Sequence, residues 1–80
     1  MPTLMIEGYK FQFYSSDESE PPHMHVLKSG NVAKIWLESF QVQYNRGYSA
    51  PEINRVIRLT RANNKLLKEK WNAHFGKRRR

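Results

Sequence analysis

Two histidines spaced two residues apart carry the chemistry that this sequence suggests most directly. His23 and His25 follow a double proline in the run Glu-Pro-Pro-His-Met-His-Val at residues 20–26. Imidazole is the side chain best placed for proton transfer near neutral pH. One imidazole could take the 2′-hydroxyl proton of RNA, and the other, or Tyr14, could protonate the leaving oxygen. We therefore treat His23, His25 and Tyr14 as candidate catalytic residues for metal-free RNA cleavage.

Two other interpretations of the histidine pair stay open. The imidazoles could be structural and bond to backbone groups beside the prolines. They could also bind a metal, with Asp17, Glu18 or Glu20 as a third ligand. Zinc needs three or four ligands at fixed geometry, and carboxylates in a loop are poorly suited to that. We predict no metal site and no cofactor, and keep a metal-dependent enzyme that uses the His-x-His pair as an alternative.

The residues around the pair predict a β-hairpin. Strand candidates at 23–28 and 32–38 flank Ser29-Gly30-Asn31, which has turn chemistry. A turn at Ser29-Gly30 pairs His25 with Lys34, and a turn at Gly30-Asn31 pairs it with Trp36. Both registers give the same faces, because side chains alternate along a strand. One face holds Met24, Val26, Ala33, Ile35 and Leu37, and the other holds His23, His25, Lys34, Trp36 and Glu38.

The rest of the chain predicts further strands and one helix. Residues 4–6 and 9–14 have strand character around Gly8, and 39–44 form either a further strand or an irregular crossing before a turn at 45–47. Ser49 and Glu52 form a capping box, so a helix should run from there to about His74. We predict an α+β domain over residues 1–76, with an antiparallel sheet of about four strands and one long C-terminal helix packed on one face. Residues 77–80 are predicted to be a disordered basic tail.

Two surfaces are candidates for binding nucleic acid. Aromatic rings can stack on bases while cations attract phosphate, which is the chemistry expected of the polar sheet face. A basic stripe on the helix could hold a phosphate backbone or an acidic partner, although such stripes are often only solvated. The predicted nucleic-acid-binding residues are Lys34, Trp36, Arg46, Arg55, Arg58, Arg61 and Lys65.

Composition favours an anionic partner. The formal net charge is +7, from 14 Lys and Arg against 7 Asp and Glu. The absence of cysteine excludes disulfides and thiolate metal sites. The chain has neither an apolar run of membrane-span length nor a signal-peptide pattern at its start, so we expect a cytoplasmic protein with no membrane partner. Phosphate-loop and Ser or Cys nucleophile motifs are also absent.

The order of motifs resembles a family of small bacterial proteins. The resemblance rests on the runs at residues 11–15, 20–26 and 33–38, on Asn-Arg-Gly-Tyr-Ser at 45–49, and on the helix that closes with Trp-Asn-Ala-His-Phe at 71–75. The family is catalogued as a domain of unknown function. Its members are commonly encoded beside a small companion protein, as in type II toxin–antitoxin pairs. The resemblance therefore implies a toxin that acts on RNA, with an antitoxin-like companion, and it implies no catalytic residues.

These observations lead to one main hypothesis and a binding alternative. The main hypothesis is a toxin of a toxin–antitoxin-type pair that acts on RNA, with metal-free endoribonuclease activity as its most specific form. The alternative is a non-catalytic module that binds nucleic acid or an antitoxin through the basic helix.

Overall fold

The chain folds into one antiparallel sheet and two helices. The computed structural model describes residues 3–14 and 19–76. The strands pair in chain order and the helices follow them. The α+β class is confirmed, and the described sheet has five strands rather than about four. The elements are β1 (Thr3–Ile6), β2 (Tyr9–Gln12), β3 (His23–Lys28), β4 (Asn31–Trp36), β5 (Val42–Arg46), α1 (Ala50–Ala62) and α2 (Asn64–Phe75).

Tight turns set the register of the central strands. Ser29 and Gly30 both have positive φ, 53° and 83°, as the two central residues of a type I′ hairpin turn require. The resulting register pairs His25 with Lys34 and His23 with Trp36. Of the two registers considered from the sequence, the turn at Ser29-Gly30 is therefore confirmed. An equivalent pair of positive φ values at Glu7 and Gly8 connects β1 to β2.

Alternation along the strands gives the sheet one apolar face, which builds the core. Tyr48, which follows β5, also joins this core and donates a hydrogen bond of 2.9 Å from its hydroxyl to the Val26 carbonyl. The predicted apolar grouping of the β3–β4 hairpin is confirmed, since all five of its members are buried. The strands and turns contribute Phe11, Phe13, Met24, Val26, Ala33, Ile35 and Leu37 to the core, and the helices contribute Val56, Leu59, Leu67, Trp71 and Phe75.

The prediction of one long helix is wrong, because the helix breaks at Asn63. The helix start was predicted correctly: the Ser49 hydroxyl accepts from the Glu52 backbone N–H at 3.3 Å. At the break, both the backbone N–H and the side-chain amide of Asn63 donate to the Leu59 carbonyl. Asn side chains compete in this way for backbone groups and so weaken helix interiors. The next residue, Asn64, is the first of α2 and donates from Nδ2 to the Leu37 carbonyl at 2.9 Å, which joins the start of this helix to the sheet end.

The second helix runs along one end of the sheet. This sheet end comprises Phe13 after β2, His23 at the start of β3 and Leu37 after β4. The Trp71 ring lies 5.1 Å, between centroids, from both Phe13 and His23. Because Phe13 and His23 belong to opposite faces, Trp71 must lie at the edge where the two faces meet.

Two further sequence predictions concern membrane spans and the segments at residues 15–18 and 77–80. No helix in the described part of the chain is long and apolar enough to cross a membrane. The proposed basic tail at 77–80 and most of the acidic loop, at 15–18, lie outside the described residues.

Replacing Gly47 with alanine should destabilise the fold more than the same change at Gly30. Both glycines have positive φ, 104° and 83°, which strains any residue that carries a Cβ. A Cβ at Gly47 would also overlap the Asn31 side-chain amide, whereas a Cβ at Gly30 would meet no atom within 4 Å. We expect Gly30→Ala to cost about 1 kcal/mol and Gly47→Ala about 1 kcal/mol more, measured by urea unfolding. Adding Asn31→Ala should recover part of the Gly47→Ala loss, and additive effects would contradict the clash.

Stability should fall at alkaline pH because of Tyr48. Burial raises the pKa of the Tyr48 hydroxyl to about 12, with further contributions from Tyr9 and Glu52. An unfolded tyrosine ionises near pH 10, so the unfolded chain loses its proton first. The free energy of unfolding should therefore be unaffected by this group below pH 10 and fall between about pH 10 and 12. Tyr48→Phe should lower stability by about 1 kcal/mol at pH 8, through the lost hydrogen bond, and flatten the alkaline decline. An unchanged alkaline slope would contradict this assignment.

Candidate functional site

The sheet face opposite the core forms the candidate site. Strand pairing places Gln12, His25, Lys34 and Tyr44 side by side in one row across β2 to β5. A second row, one step toward the Ser29-Gly30 turn, holds Lys10, Leu27, Val32 and Arg46. We call this surface the open face. It comprises Met5, Lys10, Gln12, Tyr14, His25, Leu27, Val32, Lys34, Tyr44 and Arg46.

His23 is built into the sheet end and is not displayed on the open face. Its side chain is fully buried, at 0 % exposure. The Nδ1 atom lies 2.9 Å from the Pro21 carbonyl oxygen and must carry the proton, because a carbonyl only accepts. The imidazole also contacts Trp36 and Trp71, at centroid distances of 5.4 and 5.1 Å. This environment favours the structural interpretation of His23 over a catalytic one.

His25 is the histidine of the motif that reaches the open face. Its exposure is 8 %, and its ring lies between two tyrosines. The Tyr14 ring is 4.9 Å away between centroids, and the Tyr44 hydroxyl is 3.4 Å from His25 Nδ1. The Tyr14 hydroxyl also accepts a hydrogen bond of 2.8 Å from Gln12. An imidazole in hydrogen-bond reach of a phenol is an arrangement that can take up and pass on a proton.

The two cations predicted for this face have different environments. Lys34 donates to a Glu20 carboxylate oxygen at 2.6 Å, and 13 % of its side chain is exposed, so its charge is largely matched within the protein. Arg46 is exposed and stacks over the Tyr44 ring at 5.1 Å. Arg46 is therefore better placed than Lys34 to meet an incoming phosphate. Lys34 instead ties the Glu20 segment to the sheet.

Trp36 lies at the margin of this surface. Its indole N–H donates to the Gln43 side-chain oxygen at 3.0 Å, and the ring carries the Lys34 ammonium at 4.9 Å. A small apolar depression of about 230 Å³ beside it is lined by Pro21, Pro22, Trp36, Glu38 and Ser39. Trp36 is thus only partly exposed and already engaged on one side.

The remaining predicted site residues belong to the helices. Arg55, Arg58 and Arg61 line a separate groove on α1, together with Glu7, Leu59 and Ala62. Lys65 is exposed on α2, beyond the break at Asn63. The structure thus gathers His25, Tyr14, Lys34 and Arg46 into one surface and places the α1 arginines on another.

Sequence reasoning missed Tyr44 and Lys10 as members of the open face. Lys10 lies within the strand predicted at residues 9–14, but the sequence assigns it no role in the site. Tyr44 was missed because the pairing of β4 with β5 is irregular. Ile35 pairs with Val42 and Lys34 pairs with Tyr44, so the register shifts between Lys34 and Ile35. Strict alternation would place the Val42 and Tyr44 side chains on the same face of the sheet. A bulge in an antiparallel pair adds one residue to one strand, so the side chains before and after it can lie on different faces.

The described residues contain no group of three or more His, Asp or Glu side chains placed to hold a metal ion. Two of the three carboxylates considered as third ligands, Asp17 and Glu18, lie outside the described residues. Glu20 is described, and its carboxylate oxygen is 3.7 Å from His23 Nδ1 while it binds Lys34. The geometry that is described gives the metal alternative no support.

Replacing His23 should affect stability more than replacing His25. His23→Phe keeps a ring between the two tryptophans but removes the donor to the Pro21 carbonyl, which is expected to cost about 1–3 kcal/mol. His25→Phe is the matched control, since it makes the same substitution on the same strand, at a ring that lies beside Tyr14 and Tyr44 and not between the two tryptophans. The check is urea unfolding at pH 7.5 of both variants and wild type. Equal losses, or a larger loss at His25, would contradict the structural role of His23.

Comparison with known proteins identifies a family but no function. No curated protein and no solved structure matches this chain. A family model described as a domain of unknown function, DUF4160, matches residues 8–72, which span β2 through most of α2. Because that match covers most of the chain, including the open face and the sheet end, the protein belongs to the DUF4160 family of domains of unknown function.

Proposed function

We propose that the protein binds single-stranded RNA on its open face and acts on RNA as the toxin of a toxin–antitoxin-type pair. The observation that carries the proposal is the grouping of Tyr14, His25 and Tyr44 with the exposed Arg46 on the sheet face opposite the core. Rings, a titratable group and a cation on one sheet surface are the components that RNA-binding sheets use. The toxin role extends the binding proposal through the resemblance described above.

Single-stranded RNA fits this surface better than a duplex. Bases can stack on aromatic side chains only where they are not already paired and stacked in a helix. The rings of Tyr14 and Tyr44 flank His25, and Arg46 lies over Tyr44 where it can reach a phosphate beside a stacked base. Arginine also offers several N–H donors to phosphate oxygens.

A shallow depression extends the surface toward the hairpin turns. It measures about 800 Å³ and is lined by tyrosines, aliphatic side chains and lysines. Among its lining residues are Met5, Lys10, Tyr14, Leu27, Lys28, Val32 and Tyr44. Apolar side chains would contact the base and sugar, while the lysines at the margin would attract the phosphates.

If the protein cleaves RNA, His25 is its best-placed base. His23 is fully buried and His25 keeps 8 % exposure, so of the original pair His25 alone retains contact with solvent. The Tyr44 hydroxyl, 3.4 Å from His25 Nδ1, and Tyr14 are the neighbouring groups that could carry a proton to the leaving oxygen. Arg46 would stabilise the negative charge that develops on the non-bridging oxygens of the phosphorane.

The binding proposal predicts that affinity depends on the tyrosine rings. A fluorescein-labelled 12-nucleotide oligo(U) RNA would be titrated with protein at two salt concentrations and followed by anisotropy. Tyr44→Ala should weaken binding about tenfold, since stacking contributes about 1–3 kcal/mol per base, and Tyr44→Phe should bind like wild type. Arg46→Gln should reduce the salt dependence. Wild-type affinity in Tyr44→Ala, with an unchanged circular dichroism spectrum, would contradict the proposal.

The same proteins, incubated with total RNA, distinguish an enzyme from a binding module. Metal-free cleavage predicts product in the presence of a chelator, none with His25→Ala and product with His23→Phe. Equal cleavage by all three would exclude His25 as the catalytic base. RNA binding without product would favour the non-catalytic alternative. Growth arrest on expression of wild type, relieved by Tyr44→Ala, would connect the open face to toxicity, and growth without arrest would contradict the toxin role.

A further inference from the structure

The groove on α1 is a second surface with its own chemistry. Arg55, Arg58 and Arg61 recur every three residues and are exposed. With Glu7, Leu59 and Ala62 they line an open groove of about 700 Å³, which we call the arginine groove. The core side of α1 packs on the apolar face of the sheet through Val56 and Leu59. The arginine groove therefore belongs to the helical side of the molecule and not to the open face.

The charges of the arginine groove are available to a partner. Within the described part of the chain, none of its three arginines forms an ion pair with a carboxylate within 4.0 Å. The Arg61 guanidinium stacks over the Phe40 ring at 5.0 Å, an arrangement that leaves its N–H edges free to bond. The acidic residue of the lining, Glu7, lies on the β1–β2 turn and would repel an anion near it.

The distribution of charged and apolar side chains on this surface favours a short peptide over a nucleic-acid backbone. The break at Asn63 separates the arginines from the basic residues of α2, and Lys68 of that helix is 3.7 Å from Glu38. The cations that could have followed a phosphate backbone along one helix are thus split between two. Among the described residues that line the arginine groove none is aromatic, and the neighbouring Phe40 ring is covered by Arg61. The exposed Ala62, with the outer edge of the mostly buried Leu59, provides a short apolar strip between the charges.

We propose that the arginine groove docks an acidic, amphipathic segment of a partner protein. Carboxylates of the segment would form paired hydrogen bonds with the arginines, because the planar guanidinium matches a carboxylate. An apolar side chain of the segment would lie against Leu59 and Ala62. Glu7 would set the direction of the segment by excluding carboxylates from its end of the groove. This site goes beyond RNA binding, since it uses a different surface and a different ligand class.

The test uses a fluorescein-labelled 12-residue peptide that contains four Glu and three Leu at helical spacing, and a scrambled peptide of the same composition. Full-length protein should bind the ordered peptide more tightly than the scrambled one. The triple change Arg55→Gln, Arg58→Gln and Arg61→Gln should weaken binding about tenfold or more, because each exposed charge pair contributes modestly. Single changes allow a matched comparison, in which Arg58→Gln should weaken binding and Lys70→Gln, an exposed α2 residue, should not.

A charge placed on the apolar strip gives a second test that leaves the arginines intact. Ala62 is exposed, so either charge can be accommodated by the fold. Ala62→Glu should weaken peptide binding and Ala62→Lys should strengthen it. Equal effects of the two substitutions, equal losses for Arg58→Gln and Lys70→Gln, or no preference for the ordered peptide would each overturn the proposal.

Oligo(U) RNA separates this proposal from RNA binding on the open face. The triple arginine variant should keep its RNA affinity, and Tyr44→Ala should keep its peptide affinity. Loss of RNA and peptide binding together in the arginine variant, with RNA displacing the peptide, would show that the arginine groove is a nucleic-acid site and overturn the peptide proposal. If Tyr44→Ala loses RNA binding but keeps its peptide affinity, the two ligands use different surfaces, as the peptide proposal requires.

Discussion

The burial of His23 between two tryptophans is the contact on which the arrangement of this protein depends. Trp36 comes from β4, Trp71 from α2, and the imidazole itself from the first residue of β3. The His23 imidazole also donates from Nδ1 to the Pro21 carbonyl and so fixes the segment before β3 against the same cluster. A domain of 80 residues has little apolar surface to bury, and this cluster joins two strands and a helix at one end of the sheet.

The same sheet end also holds α2 in place. The Asn64 side chain donates to the Leu37 carbonyl, and the Trp71 and Phe75 rings pack on Phe13. The two helices therefore cover different parts of the sheet, α1 its apolar face and α2 its end. The open face is left to His25 and its tyrosine neighbours.

Separation of the two sheet faces gives the molecule two surfaces of different chemistry. On the open face, cations lie against rings, as Arg46 does on Tyr44, which suits bases joined by phosphates. On α1, arginines flank a short apolar strip, which suits carboxylates on an amphipathic segment. The net charge of +7 would attract an anionic ligand to either surface, so the net charge by itself does not distinguish their ligands.

The sequence by itself determined what local geometry controls: the turn at Ser29-Gly30, the alternating faces of β3 and β4, and the cap at Ser49. Only the tertiary structure determined the surroundings of the two histidines, because strand alternation puts His23 and His25 on one side but cannot say that Trp71 of α2 packs against His23 while Tyr14 and Tyr44 pack against His25. The contact of Asn64 with the Leu37 carbonyl, the register shift that brings Tyr44 to His25, and the pairing of Lys34 with Glu20 likewise depend on residues distant in sequence. Periodicity describes a segment and its neighbours on the same element, whereas burial depends on which other element packs there.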